Sequence, residues 1–262
     1  MHPVLFRLGP LTIHTYGALI ACAFLVCIFL ATREARRKGI DPDRVTDLGL
    51  YILIAAIAGS RILQVAVEYR YYMEHPAEII QIWKGGLVFY GGFIAALFTS
   101  VWYLRKHSLP VWKMGDTLAP FIPLGQAIGR LGCFTAGCCY GAPTDLPWGV
   151  TFSDPDTLAV MGVPLHPTQL YESAGSLLIF VGLFAYRKRA KFEGQVFWLY
   201  VMLYSVLRFT VEFFRGDTER GFVHFGGFDI STSQAVGVVA FLTAVVMLSR
   251  LKAVGMSQAA RN

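Results

Sequence analysis

Long apolar runs recur along this chain and limit what it can fold into. A helix needs roughly 20 mainly apolar residues to cross the hydrocarbon core of a bilayer. Runs close to that length occupy residues 13–31, 46–67, 85–104, 111–131, 168–186, 194–214 and 233–251. Only 15% of the residues are charged, and the lysines and arginines fall mostly between the runs. The sequence therefore predicts an all-α polytopic membrane protein with seven transmembrane helices in a single transmembrane domain, residues 1–262.

The distribution of positive charge predicts how these helices are oriented. Of the 23 lysines and arginines, 15 lie in residues 33–44, 105–113, 187–191 and 250–262, and five lie in the segments on the opposite side. Because cytoplasmic loops are enriched in Lys and Arg, we expect the N-terminus outside and the C-terminus in the cytoplasm. Residues 132–167 are rich in proline and lack a long apolar run, so they are expected to form a small periplasmic head. Membrane topology explains the net charge of +6, and no nucleic-acid partner is expected.

Three arginines interrupt the predicted spans, at positions 61, 130 and 208. Charged residues at membrane depth face the protein interior and pair with an opposite charge. Tyr204, Arg208 and Glu212 follow each other at a spacing of four residues, so they share one helix face and Glu212 is expected to orient Arg208. Arg61 and Arg130 have no evident carboxylate partner in the sequence, and guanidinium groups bind phosphate well. A phospholipid head group is the expected partner; arginines that hold backbone carbonyls for helix packing are the open alternative.

A glycine- and cysteine-rich stretch covers residues 129–141, at the end of the fourth predicted span. Its glycines permit a close approach of backbone to a bound group. Cys133, Cys138 and Cys139 have the spacing C-x4-C-C, which is not a standard zinc pattern, so neither a metal nor another cofactor is expected. A disulfide between Cys133 and Cys138 on an oxidising outer face is left open.

Taken in order, these segments resemble the bacterial prolipoprotein diacylglyceryl transferases over nearly the whole chain. The matching segments are His14-Thr15-Tyr16-Gly17, Gly59-Ser60-Arg61, His75-Pro76, Trp83-Lys84-Gly85-Gly86, Phe89-Tyr90-Gly91-Gly92, residues 129–141, His166-Pro167-Thr168-Gln169-Leu170-Tyr171-Glu172, residues 204–215 and Gln234. The resemblance implies a multi-pass protein of the bacterial inner membrane with its active site facing the outer leaflet. It further implies transfer of an sn-1,2-diacylglyceryl group from phosphatidylglycerol to the lipobox cysteine thiol in a prolipoprotein signal peptide. A thioether would form and glycerol phosphate would be released.

The same resemblance implies roles for individual residues. Arg130 and Arg208 would act on the phosphate and the leaving group, with Glu212 positioning Arg208, and guanidinium groups suit the charge that develops on phosphate oxygen. Tyr90 joins this catalytic set because it stands where members of the family have a histidine, although a tyrosine with a pKa near 10 is a poor base at neutral pH. Substrate-binding positions are expected at Tyr16, Arg61, Gly86, Gly129, Gly141, Gln169, Tyr204 and Gln234.

The chain also departs from the family pattern. Members have asparagines at the positions of Cys133 and Ala136 and usually a glutamate at that of Cys138. These departures leave three alternatives open. One is a paralogue that passes the diacylglyceryl group to another acceptor, and another is a non-catalytic phospholipid-binding or transport protein. The third is an enzyme that uses one of the three cysteines as a redox or acyl-carrying thiol.

Overall fold

The computed structural model describes residues 2–8, 11–82, 85–217, 221–225 and 228–259, and it is mostly helical over these ranges. The helices are α1 (Thr15–Arg37), α2 (Pro42–Val67), α3 (Tyr69–Glu74), α4 (Phe89–Lys106), α5 (Val111–Leu118), α6 (Phe121–Ala136), α7 (Thr168–Tyr186), α8 (Gln195–Glu212) and α9 (Thr232–Ala259). A 3₁₀ helix, Pro76–Ile80, follows α3. Trp83 and Lys84, which belong to one of the motifs above, lie outside the described residues.

Four of the described helices are long and apolar enough to cross a membrane. They are Thr15–Arg37, Pro42–Val67, Thr168–Tyr186 and Thr232–Gly255. Most of their surface is not covered by the protein itself, and large apolar side chains such as Ile54, Leu178 and Val239 are exposed. Soluble proteins rarely leave so much apolar surface in contact with water, whereas lipid covers it without cost. The expected class of helical membrane protein is confirmed; the number of seven spans stays a prediction.

The predicted fourth span, residues 111–131, consists of two helices. The chain breaks between α5 and α6 at Ala119 and Pro120, because proline lacks an N–H and disfavours helical geometry in the residue before it. Pro123 lies in the first turn of α6, where a missing N–H costs little. The second helix continues to Ala136, which is beyond the predicted end and places Arg130 and Cys133 in its last two turns.

Within the described ranges, three two-stranded antiparallel hairpins correct the expectation of a purely helical chain. β1 (Val4–Leu8) pairs with β2 (Leu11–His14), β3 (Val150–Thr151) with β4 (Pro164–Leu165), and β5 (Phe222–Phe225) with β6 (Phe228–Ser231). The last hairpin lies between the predicted sixth and seventh spans, a stretch in which residues 218–220 and 226–227 lie outside the described ranges. Strands this short carry too few residues to show a period of two, so the sequence pattern did not predict them.

The chain forms two compact units, Met1–Leu30 with Gly115–Asn262, and Ala31–Met114. In the second unit α2 packs closely against α4 through glycines. A Cβ added to Gly91 would lie 2.3 Å from the carbonyl oxygen of Gly59, and one added to Gly92 would lie 2.3 Å from Ser60 Oγ. The glycine pair before Phe93 is thus explained by helix packing, as in membrane helices that use small residues at their contacts.

In the first unit α7 packs against both α6 and α8, and α8 packs against α9. The segment that joins α6 to α7 has a small apolar core of its own, formed by Phe152, Ala159 and Leu165 with Phe134 of α6 packed against it. This packing holds the end of α6 near the start of α7. Arg130, Glu172 and Tyr204 lie where α6, α7 and α8 meet.

Candidate functional site

A buried carboxylate joins three helices of the first unit. Arg130 Nη2 on α6 lies 2.9 Å from Glu172 Oε1 on α7, and the Tyr204 hydroxyl on α8 donates to the same oxygen at 2.9 Å. Glu172 is only 1% exposed, so its charge depends on these two partners. The expectation that Arg130 lacks a protein carboxylate is therefore wrong. The partner is distant along the chain, and only the packing of α6 on α7 brings the two groups together.

Glu172 is also the functional candidate that the sequence reasoning missed. In the sequence it stands as the last residue of the matching segment 166–172, with no role expected for it, although it is the single charged residue of α7. A lone carboxylate in an otherwise apolar span is costly unless it is paired. That signal is present in the sequence and points to a buried ion pair.

The second ion pair lies along α8. Arg208 Nη1 donates to Glu212 Oε2, and Arg208 Nη2 donates to Ser233 Oγ at 3.1 Å at the start of α9. The Glu212 side chain is 2% exposed and that of Arg208 is 15% exposed. The structure thus contains the contact expected from the spacing, and the catalytic role of the pair stays a prediction. A guanidinium has five N–H donors, so these contacts to described residues use only part of its capacity.

The cysteine loop begins where α6 ends. Gly137 has a φ of +78°, the Cys138 N–H donates to the Cys133 carbonyl at 3.1 Å, and the Gly137 N–H donates to the Phe134 carbonyl at 3.3 Å. This is a Schellman cap, which reverses the chain over the last helical turn. A Cβ at Gly137 would lie 2.0 Å from Thr157 Oγ1, so no larger residue fits. The cap places Cys138 beside Cys133.

Two residues at the start of α7 hold the backbone of this loop. Thr168 Oγ1 donates to the Cys139 carbonyl at 2.8 Å, and Gln169 Nε2 donates to the Cys138 carbonyl at 2.7 Å. Gln169 is 1% exposed, so the residue expected to line a lipid pocket supports the cysteine loop. Cys139 itself has a φ of +58°, which non-glycine residues rarely adopt.

The three thiols of the loop lie together. Their Sγ atoms are all within 4.8 Å of one another, and all three cysteines are free. The pKa of the Cys139 thiol is lowered because Cys133 and Cys138 donate hydrogen bonds that favour its thiolate, with further help from Arg130 and Arg215. The Cys133–Cys138 disulfide, which the sequence leaves open, is not formed in this structure.

Three other predicted positions of this unit lie at packing contacts. A Cβ at Gly129 would lie 3.2 Å from Ile20 Cδ1, and one at Gly141 would lie 2.4 Å from His166 Cβ. Tyr16, which is 42% exposed, lies in the first turn of α1 and against Gly132, where an added Cβ would be 3.0 Å from its ring. Close packing accounts for the glycines, and Tyr16 adjoins the last turns of α6.

Gln234 caps the last helix. Its Oε1 accepts from the Ser231 N–H at 3.2 Å, while Ser231 Oγ accepts from the Gln234 N–H at 3.1 Å. This reciprocal pair is a capping box, which fixes the first turn of α9. The same turn carries Ser233, the hydrogen-bond partner of Arg208. By fixing this turn, Gln234 supports the hydrogen bond between Ser233 and Arg208.

The second unit contains the remaining predicted residues. Arg61 is 7% exposed, and its guanidinium donates to four backbone carbonyls, those of Glu78, Ile79, Gly85 and Gly86. Its planar fork suits several acceptors at once. For Arg61 the structure thus agrees with the alternative in which an arginine holds backbone carbonyls. Gly86 has a φ of +70°, and Tyr90, in the first turn of α4, is 45% exposed.

Apolar helices with uncovered outer surfaces, together with arginines that buried carboxylates hold in place, define a helical membrane protein with a polar site. Comparison with known proteins narrows this class. A family model described as prolipoprotein diacylglyceryl transferase matches residues 3–250. The chain therefore belongs to the prolipoprotein diacylglyceryl transferase family, which confirms the resemblance read from its motifs.

Several relatives are similar over most of their length. Proteins named phosphatidylglycerol–prolipoprotein diacylglyceryl transferase from Clostridium tetani and Finegoldia magna are 36% and 37% identical to this chain. The alignments cover 95% and 96% of this chain and 97% and 96% of the relatives. A protein of the same name from Synechococcus elongatus is 38% identical over 82% of this chain and 78% of its own length.

Proposed function

We propose that this protein is a transferase that moves an sn-1,2-diacylglyceryl group from phosphatidylglycerol to the lipobox cysteine thiol of a prolipoprotein. Membership of the family supports the reaction, because the relatives carry that activity in their names. The observation that connects the reaction to this chain is the pair of arginines held by carboxylates, Arg130 by Glu172 and Arg208 by Glu212. A phosphate-containing substrate needs such cations.

The chemistry requires positive charge at a defined position. The substrate thiolate attacks a glycerol carbon, a C–S bond forms, and the C–O bond to phosphate breaks with its electron pair on the phosphate oxygen. Preorganised guanidinium groups stabilise the charge that develops there. Glu172 and Glu212 fix the planes of Arg130 and Arg208, so their remaining N–H groups have a set direction before the lipid arrives.

The other predicted residues of the first unit are proposed to act around this centre. Tyr204 donates to Glu172 and thereby orders Arg130, and Tyr16 lies against the same end of α6. We propose that four further residues shape the lipid site through packing and backbone support: Gly129, Gly141, Gln169 and Gln234. For the second unit, we propose that Arg61 and Gly86 order the segment before α4. Tyr90 keeps its proposed catalytic place, as the residue at the position of the family's histidine.

The proposed topology has seven spans, with the N-terminus outside and the C-terminus in the cytoplasm of a bacterial inner membrane. The distribution of Lys and Arg supports it, and it places residues 132–167 as a periplasmic head and the active site at the outer leaflet. Fusions of alkaline phosphatase, which is active only outside the cytoplasm, test it. A fusion after Asp145 should be active and one after Arg189 inactive. The reverse pattern would contradict the orientation.

The activity is tested with purified protein in lipid nanodiscs, phosphatidylglycerol labelled in its acyl chains, and a peptide with a lipobox cysteine. The expected product is a thioether-linked diacylglyceryl peptide, formed together with glycerol phosphate. Arg130→Ala and Arg208→Ala should each abolish turnover. Arg7→Ala is the matched control, because the Arg7 side chain is 63% exposed and its ion pair with Asp156 lies at the surface.

The outcomes separate the candidate functions. Absence of product from the wild-type protein, under conditions in which a relative is active, would contradict the proposed reaction. Binding of phosphatidylglycerol without release of glycerol phosphate would instead favour a non-catalytic lipid-binding protein. Normal turnover in both arginine variants would contradict the roles proposed for Arg130 and Arg208.

A further inference from the structure

The thiol cluster of Cys133, Cys138 and Cys139 has no part in the proposed stabilisation of phosphate by Arg130 and Arg208, yet specific backbone geometry holds the cluster in place. The Schellman cap at Gly137 turns Cys138 back toward Cys133, and Cys139 takes a left-handed conformation that side chains seldom adopt. Strained backbone of this kind persists only where its surroundings hold it. Hydrogen bonds from Thr168 and Gln169 to the carbonyls of the loop supply that support.

The geometry of the cluster suits a soft metal ion. All three Sγ atoms lie within 4.8 Å of one another. With Zn–S bonds of about 2.3 Å, sulfur atoms around a tetrahedral zinc are about 3.8 Å apart, so each thiol needs to move by less than about 1 Å. Thiolates are soft ligands, which favour zinc or copper over magnesium or calcium. Three protein ligands also leave one of four positions open, as in catalytic zinc sites.

The charges around the cluster favour a divalent ion. Three thiolates around a divalent cation carry one net negative charge, whereas a monovalent cation leaves two. Arg130 Nη1 lies 4.0 Å from Cys133 Sγ, close enough for its guanidinium to stabilise the remaining negative charge. The same arginine contacts Glu172 through Nη2, which connects the cluster to the proposed phosphate site.

We propose that Cys133, Cys138 and Cys139 form a binding site for a divalent soft cation such as Zn²⁺, and that its open position takes the thiol of the acceptor peptide. This role rests on the proposed transfer reaction. A thiol that coordinates such a cation loses its proton to solvent, and the thiolate is the nucleophile in thioether formation. The bound sulfur then forms the C–S bond, and the C–O bond breaks with its electron pair on the glycerol phosphate oxygen.

Metal binding is measured directly on the full-length protein in nanodiscs. The protein is reduced, treated with a chelator, and titrated with Co²⁺ and with Zn²⁺. We expect one equivalent to bind and Co²⁺ to give a sulfur-to-cobalt charge-transfer band. Cys133→Ser, Cys138→Ser and Cys139→Ser should each weaken binding by at least about 100-fold. Cys22→Ser is the matched control, because Cys22 is exposed and lies outside the cluster, and it should bind as the wild type does.

Two outcomes on the wild-type protein would overturn the metal site even if a serine variant fails to fold. One is absence of the charge-transfer band. The other is a disulfide between two of the three cysteines in protein isolated from membranes, since it removes two ligands. The role of the open position has its own test, in which a lipobox peptide changes the cobalt spectrum and the same peptide with serine for cysteine does not.

Activity measurements distinguish the metal site from the transfer reaction. We expect removal of the metal to lower turnover at least about 100-fold and Zn²⁺ to restore it. Full turnover by metal-free protein would overturn the metal's role and leave the proposed function standing. Metal binding without any transfer product would contradict the proposed function and leave the metal site standing.

Discussion

Replacement of Glu172 by Gln tests whether the buried carboxylate holds the phosphate-binding arginine in place. The substitution keeps the size of the side chain and removes its charge. In the wild-type protein one oxygen of Glu172 accepts from both Arg130 and Tyr204, each at 2.9 Å. The glutamine oxygen still accepts both hydrogen bonds, but neither is assisted by a negative charge, and Arg130 keeps its positive charge inside the protein.

The size of the effect follows from these contacts. A hydrogen bond to a charged group contributes about 1 kcal/mol more than a neutral one, so two such bonds account for about 2 kcal/mol. Removal of one partner of a buried ion pair costs about 3–5 kcal/mol, which sets the upper limit. We therefore expect the free energy of unfolding to fall by about 2–4 kcal/mol, and the Tm by roughly 5–15 °C.

The loss of activity should exceed the loss of folded protein. We expect kcat of Glu172→Gln to fall by about 100-fold, because misplacement of a charge-stabilising group has an effect of that size. The assay uses labelled phosphatidylglycerol at a temperature below the Tm of the variant. Glu34→Gln is the matched control, because Glu34 is 4% exposed, pairs with Arg37 and belongs to the second unit. It should lower the Tm and leave kcat unchanged. Wild-type kcat in Glu172→Gln, or an equal loss in both variants, would refute the reasoning.

Three further predictions concern individual supporting contacts within each unit. Tyr204→Phe removes one of the two donors to Glu172 and should lower kcat about tenfold, with a loss of stability of about 1–2 kcal/mol in thermal unfolding. Gly137→Ala should lower the Tm more than Gly162→Ala does: both glycines have positive φ, but only at position 137 does a Cβ meet another atom, and equal shifts would contradict the predicted clash. Arg61→Lys keeps the charge but cannot reach four carbonyls, so limited proteolysis should cleave residues 75–88 faster; an unchanged rate would contradict this role.

Much of the fold follows from the sequence because apolar length is a local property. A run of about 20 apolar residues predicts a helix that lipid covers, whatever its neighbours are. Pro120 indicates in the sequence where the fourth span divides into α5 and α6. The end of α6 at Ala136, beyond the predicted end of the span, has no such signal. The short hairpins were missed because two-stranded pairing depends on which segments the rest of the chain brings together.

The site was only partly predictable, because a contact within one helix follows from local spacing and a contact between two helices does not. Arg208 and Glu212 are one helical turn apart, so their contact follows from the geometry of a helix. Arg130 and Glu172 lie on different helices, and no spacing rule connects them. The capping role of Gln234 is local as well, since Ser231 stands three residues before it.

The sequence by itself determined the membrane class, the family and which arginines are unusual, because apolar runs, ordered motifs and isolated charges in apolar runs are visible without any fold. Only the tertiary structure decided the partners of those charges. It also decided that Cys133, Cys138 and Cys139 meet, although their spacing matches no standard zinc pattern. Such patterns describe ligands on regular turns, whereas here a left-handed cap at Gly137 and the start of α7 bend the backbone until the three sulfur atoms converge.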